Sequence, residues 1–338
     1  MKKILITGGA GYIGSHTAVE LWNAGLEPII LDDFSNSHET VLDRLEEITG
    51  KRFAFYKGDC NQREVLDQIS KEHQLEGVIH FAAFKAVGES TQQPLAYYKN
   101  NLGSLLVLLE FMQDKGIQNI VFSSSCTVYG QPDVLPVTEA TPRKDAESPY
   151  GNTKKIGEDI LVDYVKSKPG IRVVALRYFN PVGAHPSAKI GELPMGTPQN
   201  LVPFLTQTAA GIRAKLTVFG NDYDTPDGSC IRDYIHVVDL ADAHVKALAF
   251  LFEKPLDFYE VFNVGTGRGN TVLEVIHAFE SVNGINLPYQ IGPRRAGDVV
   301  KTWADTTKIN QVLGWHPKFS LEDCMRDSWR WQLTLNDK

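Results

Sequence analysis

The sequence predicts an α/β fold, a doubly wound parallel sheet followed by a smaller mixed α/β C-terminal domain. Three observations predict it. Short apolar runs alternate with longer helical patterns through the first 180 residues, the pattern of a parallel sheet covered by helices on both faces. A glycine-rich turn follows the first of these runs without a spacer. Beyond about residue 180, Pro181, Pro186, Pro194, Pro198 and Pro203 break the alternation, as a hinge or binding loop does.

The first strand reads at 3–7 and the later ones at 28–31, 53–56, 77–81, 119–123 and 173–177. All are apolar on both faces, which suits strands buried under helices rather than strands with a wet side. Helices read at 14–24, 94–115 and 150–166. Pro94 starts the second of them, where a missing N–H costs nothing, and Gly116 stops it. After the proline-rich stretch come short strands at 216–219 and 260–263 and helices at 271–282 and 321–333. The expected division is 1–180 and 181–338, with some segments near 233–252 packing back on the first domain.

A chain of 338 residues is long enough for two cores, and 43% apolar with 22% charged residues is ordinary for such a chain. No run approaches the ~18 apolar residues of a membrane span. Met1 to Thr7 leads straight into a strand and lacks the apolar region of a secretion leader, so a cytoplasmic protein is expected. Cys60, Cys126, Cys230 and Cys324 are scattered, which fits reduced thiols rather than a disulfide scaffold. The nine histidines form no ligand spacing, and no metal site is expected. A net charge of −7 argues against a nucleic-acid surface. A polyanionic ligand would then need locally gathered arginines.

The turn Thr7-Gly8-Gly9-Ala10-Gly11-Tyr12-Ile13-Gly14 joins the first strand to the first helix. Glycine there permits the tight bend, close approach of backbone to a pyrophosphate, and helix–strand packing. The helix N-terminus offers N–H groups and the positive end of its dipole to phosphates. Asp32 ends the second strand 18 residues after Gly14, near the ~20 at which an acidic residue accepts the adenine ribose hydroxyls. This is the Rossmann fingerprint in its proper context. Asp33 and Phe34 follow, with no arginine ready for a 2′-phosphate, so NAD is expected over NADP. A second cluster, Gly265-Thr266-Gly267-Arg268-Gly269, lacks the acidic partner and reads as a tight turn into a helix capped by Asn270 or Thr271.

Tyr150 and Lys154 stand four residues apart and on a helix share one face. A tyrosine with an ordinary pKa of about 10 needs its phenolate stabilised to act as a base near neutrality, and a lysine supplies the charge. Ser123-Ser124-Ser125 closes the preceding strand. Ligands of open α/β sheets bind beyond the carboxyl ends of strands, which makes Ser125 the serine best placed to meet a reacting hydroxyl.

Glycine turn, strand-end serine and Tyr-x-x-x-Lys in this order resemble the extended short-chain dehydrogenases/reductases (extended SDR), and within them the UDP-galactose 4-epimerases. The likeness runs along essentially the whole chain. It includes His80-Phe81-Ala82, Lys85 to Ser90, Ser123 to Gly130, Ser148 to Lys154, Arg177 to His185, Arg232 to Leu240 and Arg294-Arg295-Ala296-Gly297-Asp298. The resemblance implies a tightly held NAD that is regenerated in each turnover, with Tyr150 taking the proton of the sugar 4-hydroxyl as hydride leaves C4. Lys154 would lower the tyrosine pKa, and Ser125 would assist the proton. By position, Gly8, Gly11, Tyr12, Ile13, Gly14, Asp32, Asn36, Ser37, Asp59, Cys60, Phe81, Ala82, Lys85, Asn100, Tyr150, Lys154 and Phe179 match the family's cofactor contacts. Its UDP-sugar contacts fall on Lys85, Ser125, Tyr150, Asn180, Asn200, Leu201, Phe219, Arg232, Arg295, Asp298 and Thr302. Arginine forks suit a diphosphate, and Phe219 suits the uracil ring. The family also implies a homodimer, with the helices at 94–115 and 150–166 as the candidate seam.

Thr302-Trp303-Ala304-Asp305 stands where epimerases restricted to UDP-glucose and UDP-galactose carry Tyr-Trp-Ala-Asp. In the family a bulky residue here closes the pocket beside the sugar 2-substituent. The smaller Thr302 implies room for an N-acetyl group, hence action on UDP-GlcNAc and UDP-GalNAc as well, with steric exclusion as the basis of choice. Two other readings are weaker. A nucleotide-sugar 4,6-dehydratase usually carries Asp-Glu before Val-Tyr-Gly; Cys126-Thr127 here supply no carboxylate acid–base pair. A non-catalytic dinucleotide sensor would have no need of Ser125, Tyr150 and Lys154 together.

Overall fold

A computed structural model describes residues 1–295 and 299–336. In chain order the first elements are β1 (Lys3–Thr7), α1 (Tyr12–Asn23), β2 (Glu27–Asp32), α2 (Thr40–Thr49), β3 (Ala54–Lys57), α3 (Arg63–Glu72) and β4 (Leu75–His80). There follow α4 (Val87–Gln92), α5 (Pro94–Lys115), β5 (Asn119–Ser125), α6 (Pro149–Lys166) and β6 (Arg172–Tyr178). The remainder carries β7 (Asn180–Val182), α7 (Leu201–Ala209), β8 (Leu216–Phe219), β9 (Ile231–Arg232), β10 (Tyr234–His236), α8 (Val237–Phe252) and β11 (Phe258–Val264). It ends with β12 (Asn270–Thr271), α9 (Val272–Asn283), β13 (Tyr289–Gly292), α10 (Thr307–Leu313) and α11 (Leu321–Asn336).

The chain forms two compact units. The first comprises residues 1–128, 145–177 and 241–262. Its seven-stranded sheet has the order β11-β6-β5-β4-β1-β2-β3, in which β1 to β6 follow the doubly wound arrangement. The neighbours β1–β2, β1–β4, β2–β3 and β4–β5 pair in parallel. Leu5, Ile29, Val78 and Ile120 of the sheet are buried in one cluster with Leu66 and Ile69 of α3, Leu105, Leu108 and Met112 of α5 and Leu161 of α6. Each fully buried side chain of this kind is worth about 1.5–3 kcal/mol. Pro94 occupies the first turn of α5, and Gly116 ends the helix at φ 68°, the left-handed cap that glycine adopts without a Cβ penalty. The strand read at 260–263 is the outer strand β11 of this sheet; an apolar run does not say which edge it joins.

The second unit comprises residues 129–144, 178–240 and 263–338, of which 296–298 and the last two residues lie outside the description. It holds three small two-stranded pairings, β10–β7, β12–β9 and β13–β8. Its core joins Val202 and Leu205 of α7, Leu216 and Val218 of β8, Val275, Ile276 and Phe279 of α9, and Met325 of α11. Among the described residues no helix is long and apolar enough to cross a membrane, and no group of histidine, cysteine and carboxylate side chains has metal-binding geometry.

Candidate active site

Parallel strands all deliver their carboxyl ends to one edge of the sheet, and in the first unit the sequence puts its polar residues at that edge. After β1 the chain bends at Gly8, where φ is 70° and an added Cβ would lie 2.9 Å from the Ala82 nitrogen. A Cβ at Gly14 would collide with the Gly8 carbonyl. Gly11 stands at the head of α1, which begins without a capping side chain, leaving Tyr12 and Ile13 in its first turn. This is a cradle for a group that brings its own oxygens, and it fits a pyrophosphate.

Asp32, at the end of β2, is buried. Its Oδ2 accepts from the Ala10 N–H at 2.9 Å, and its Oδ1 from the Phe34 N–H at 2.9 Å and the Ser37 hydroxyl at 2.7 Å. Burial raises the carboxyl above its ordinary range, and these donors oppose the rise. The carboxylate is therefore fixed beside the glycine turn, with Asn36 in the same loop. After β3, Asp59 Oδ1 accepts from the backbone and side chain of Asn61 at 2.8 and 2.9 Å, and the Asn61 amide reaches Asn100 on α5 at 3.2 Å. Cys60 is buried, its thiol pushed up to about 12, and is a packing residue there rather than a nucleophile. After β4 come Phe81 and Ala82, then Lys85, whose ammonium lies 5.9 Å from the Tyr12 ring centroid.

Ser125 ends β5, and Tyr150 and Lys154 lie on α6. Ser148 caps that helix by accepting from the Gly151 N–H at 3.1 Å, with Pro149 in the first turn. Desolvation pushes the Tyr150 phenol up to about 12, and a hydrogen bond from the Ser125 hydroxyl opposes the rise. Burial pushes the Lys154 ammonium down to about 7, and it donates to the Ser123 carbonyl at 2.7 Å. Tyr-x-x-x-Lys and the serine at the strand end are thus one cluster, although 25 residues separate Ser125 from Tyr150.

Several side chains that shape this cluster escaped the sequence reading. Glu158, next after Lys154 on the same face of α6, is buried; it accepts from Ser124 at 2.5 Å and takes the Arg177 guanidinium in a fork at 2.8 and 2.6 Å. Asn101 holds the Phe84 backbone at 2.8 and 3.0 Å and the Thr153 hydroxyl at 3.0 Å. His80 pairs with Thr7 at 2.8 Å; burial and the nearby Lys154 charge push its imidazole down to about 3, which keeps it neutral. The helical spacing of 150, 154 and 158 was the available signal for Glu158. Asn101 follows Lys99 and Asn100 in a polar stretch of the helix and carries none, and His80 entered only as part of His80-Phe81-Ala82.

The second unit gathers the other candidates. Phe179 is buried and its N–H donates to Val264 at 3.2 Å, while the Asn180 N–H donates to the Asp233 carbonyl at 2.9 Å. Asn200, ahead of Leu201 at the start of α7, donates to Glu192 at 2.7 Å. Phe219 is exposed at the end of β8, not in the core, with the Arg295 guanidinium 5.7 Å from its ring centroid. Arg232 donates to the Ile231 carbonyl at 2.8 Å, and the Thr302 N–H reaches that same carbonyl at 3.1 Å. Asp298 lies outside the described residues. The second glycine cluster ends in a capping box, Thr271 with Glu274, and wraps a protein carboxylate, Asp233.

The family model described as GDP-mannose 4,6 dehydratase matches residues 5–328. A curated UDP-glucose 4-epimerase of Bacillus subtilis is 52% identical over 97% of this chain and 96% of its own. Among solved structures, a UDP-glucose 4-epimerase from Stenotrophomonas maltophila, with bound NAD and formylated UDP-arabinopyranose, has a TM-score of 0.97 at 45% identity, covering 100% of this chain and 99% of the other. One from Bifidobacterium longum, in complex with NAD+ and UDP, has a TM-score of 0.95 at 45% identity, covering 99% of each chain. With full-length likeness at this level, and with serine, tyrosine and lysine gathered at the end of β5, the chain belongs to the UDP-glucose 4-epimerase family.

Proposed function

We propose that this chain is an NAD-dependent isomerase that interconverts UDP-glucose and UDP-galactose by inverting C4, and that it also interconverts UDP-GlcNAc and UDP-GalNAc. The observation that carries the reading is the Ser125–Tyr150 hydrogen bond with Lys154 on the same face of α6. The first unit holds NAD: the glycine turn takes its pyrophosphate, and Asp32 with Ser37 and Asn36 takes the adenosine ribose. Asp32 would repel the extra phosphate of NADP. When bound, NAD supplies the acceptor and donor of hydride at C4.

The protein's own residues manage the proton. Tyr150 takes it from the 4-hydroxyl and returns it after the sugar has turned, and Ser125, hydrogen-bonded to the phenol, passes it between sugar and base. Burial holds both Tyr150 and Lys154 toward their neutral forms, so a phenolate and an ammonium are each favoured by the other's charge. Cys126 and Thr127 offer no carboxylate for elimination, which favours epimerase over dehydratase within the broader family.

The second unit holds the UDP-sugar. Arg232 and Arg295, with Asp298, serve the diphosphate and ribose, Phe219 the uracil, and Asn180, Asn200 and Leu201 the remaining contacts; Lys85 is a further proposed substrate contact. The small Thr302 leaves room for a 2-acetamido group. We further propose a cytoplasmic homodimer. The test is to incubate purified protein, without added NAD, with UDP-Gal and separately with UDP-GalNAc, and to follow C4 inversion by proton NMR. Conversion of both is expected, and Thr302→Tyr should remove only the N-acetyl turnover. Conversion of UDP-Gal alone discards the Thr302 argument; conversion of neither, with NAD supplied, overturns the epimerase.

A further inference from the structure

Asp233 is fully buried in the second unit, where burial raises its carboxyl and hydrogen bonds from Thr266, Ala304 and Gly267 oppose the rise. Four hydrogen bonds converge on the carboxylate. Its Oδ1 accepts from the Thr266 N–H at 2.8 Å and the Thr266 hydroxyl at 2.6 Å. Its Oδ2 accepts from the Gly267 N–H at 3.2 Å and the Ala304 N–H at 3.1 Å. Gly265 has to be glycine because a Cβ there would overlap Oδ2, which explains a glycine cluster that serves no phosphate.

The same residue touches the segments that carry the proposed substrate contacts. Its carbonyl accepts from the Asn180 N–H at 2.9 Å. Arg232 is its chain neighbour, and Ala304, which its carboxylate grips, is two residues from Thr302. Thr302 is gripped from the other side by Ile231, whose carbonyl takes the Thr302 N–H at 3.1 Å while its own N–H donates to Val300 at 3.0 Å. The carboxylate thus holds two separated stretches, 266–267 and Ala304, and the backbone carbonyl of the same residue holds a third at Asn180.

We infer that Asp233 is a positioning residue for the UDP-sugar: its acceptor-only carboxylate fixes the Thr302 segment against the Arg232 strand, while its backbone carbonyl holds Asn180. The inference rests on the reading that these residues bind the substrate. An acceptor-only group suits the task because every neighbour aimed at it is a donor. An amide in its place turns an N–H toward those donors and pushes the segments apart, while the Ser125–Tyr150–Lys154 cluster belongs to the first unit.

The test compares Asp233→Asn with the parent for KM and kcat on UDP-Gal, UDP affinity by calorimetry, and NAD content. A rise in KM of about tenfold or more, the scale of a displaced binding group, with a much smaller change in kcat and NAD content retained, is the expected result. Thr266→Val removes one donor and keeps the carboxylate; a smaller rise in KM is expected from it, and it serves if the asparagine variant does not fold. Parent KM in whichever variants fold, or a loss of stability with KM unmoved, overturns the role. Arg232→Ala separates the two readings. If it binds UDP as the parent does, the substrate assignment fails; if it weakens UDP while Asp233→Asn and Thr266→Val do not, only the positioning role fails.

Discussion

A tyrosine proposed to surrender its proton and a lysine proposed to keep one are both hindered by burial, and in this chain a half-buried Tyr150 stands one helical turn from a buried Lys154. The Tyr150 phenol stands at about 12 and the Lys154 ammonium at about 7, each moved toward neutrality by desolvation. The sign of their coupling follows from charge: a cation beside the phenolate lowers the tyrosine pKa, so removing the cation raises it. Lys154→Met should therefore move the acid limb of the kcat–pH profile to higher pH, and kcat at pH 7 should fall on the order of 10²-fold or more. Tyr150→Phe should lower kcat at every pH and leave no acid limb to move. An acid limb that stays in place in Lys154→Met would mean that the lysine holds ligand without tuning the base. Both residues were legible from their spacing, and Ser125 from its strand end. Their depth was not, because burial is decided by what packs over them.

At the scale of elements, β5 and α6 must keep a fixed relation, or Ser125 and Tyr150 part company. The clamp is Glu158, which ties α6 to β5 through Ser124 and to β6 through Arg177. Both ends of the ion pair are buried, so removing one strands the other charge without solvent, at a cost of about 3–5 kcal/mol. Glu158→Gln should show that loss in its urea midpoint. Glu158→Leu combined with Arg177→Met should lose less than either single change, and a loss equal to the sum of the two single changes would mean the pair is not coupled. The strands and long helices themselves were largely legible, since apolar runs and the Pro94 and Gly116 punctuation are local signals. The outer place of β11 in the sheet and the wrapping of the second glycine cluster around Asp233 were not, because each depends on residues distant in sequence. A glycine-rich strand-to-helix turn reads alike whether it cradles a phosphate or the protein's own carboxylate.

At the scale of the whole molecule, α5 is the element whose apolar residues exceed what its own core uses. Leu105, Leu108, Phe111 and Met112 are buried against the sheet, yet Leu95 is 82% and Leu106 47% exposed. Leu95, Leu102 and Leu106 are seven and four residues apart, which on a helix puts them along one stripe. An apolar stripe on a helix that already has a buried face suits a second copy of the same chain, because an isologous contact lets the stripe pair with itself. The helix at 94–115 is one of the two helices of the expected seam, and the stripe fits that place. Light scattering on the purified protein should give the mass of two chains. Leu106→Glu, which brings two like charges together across the two-fold axis and desolvates both, should shift the species at micromolar concentration toward one chain. A parent that already travels as a single chain would remove the homodimer from the account; a variant that stays paired would move the seam off this stripe, leaving α6 as the other candidate.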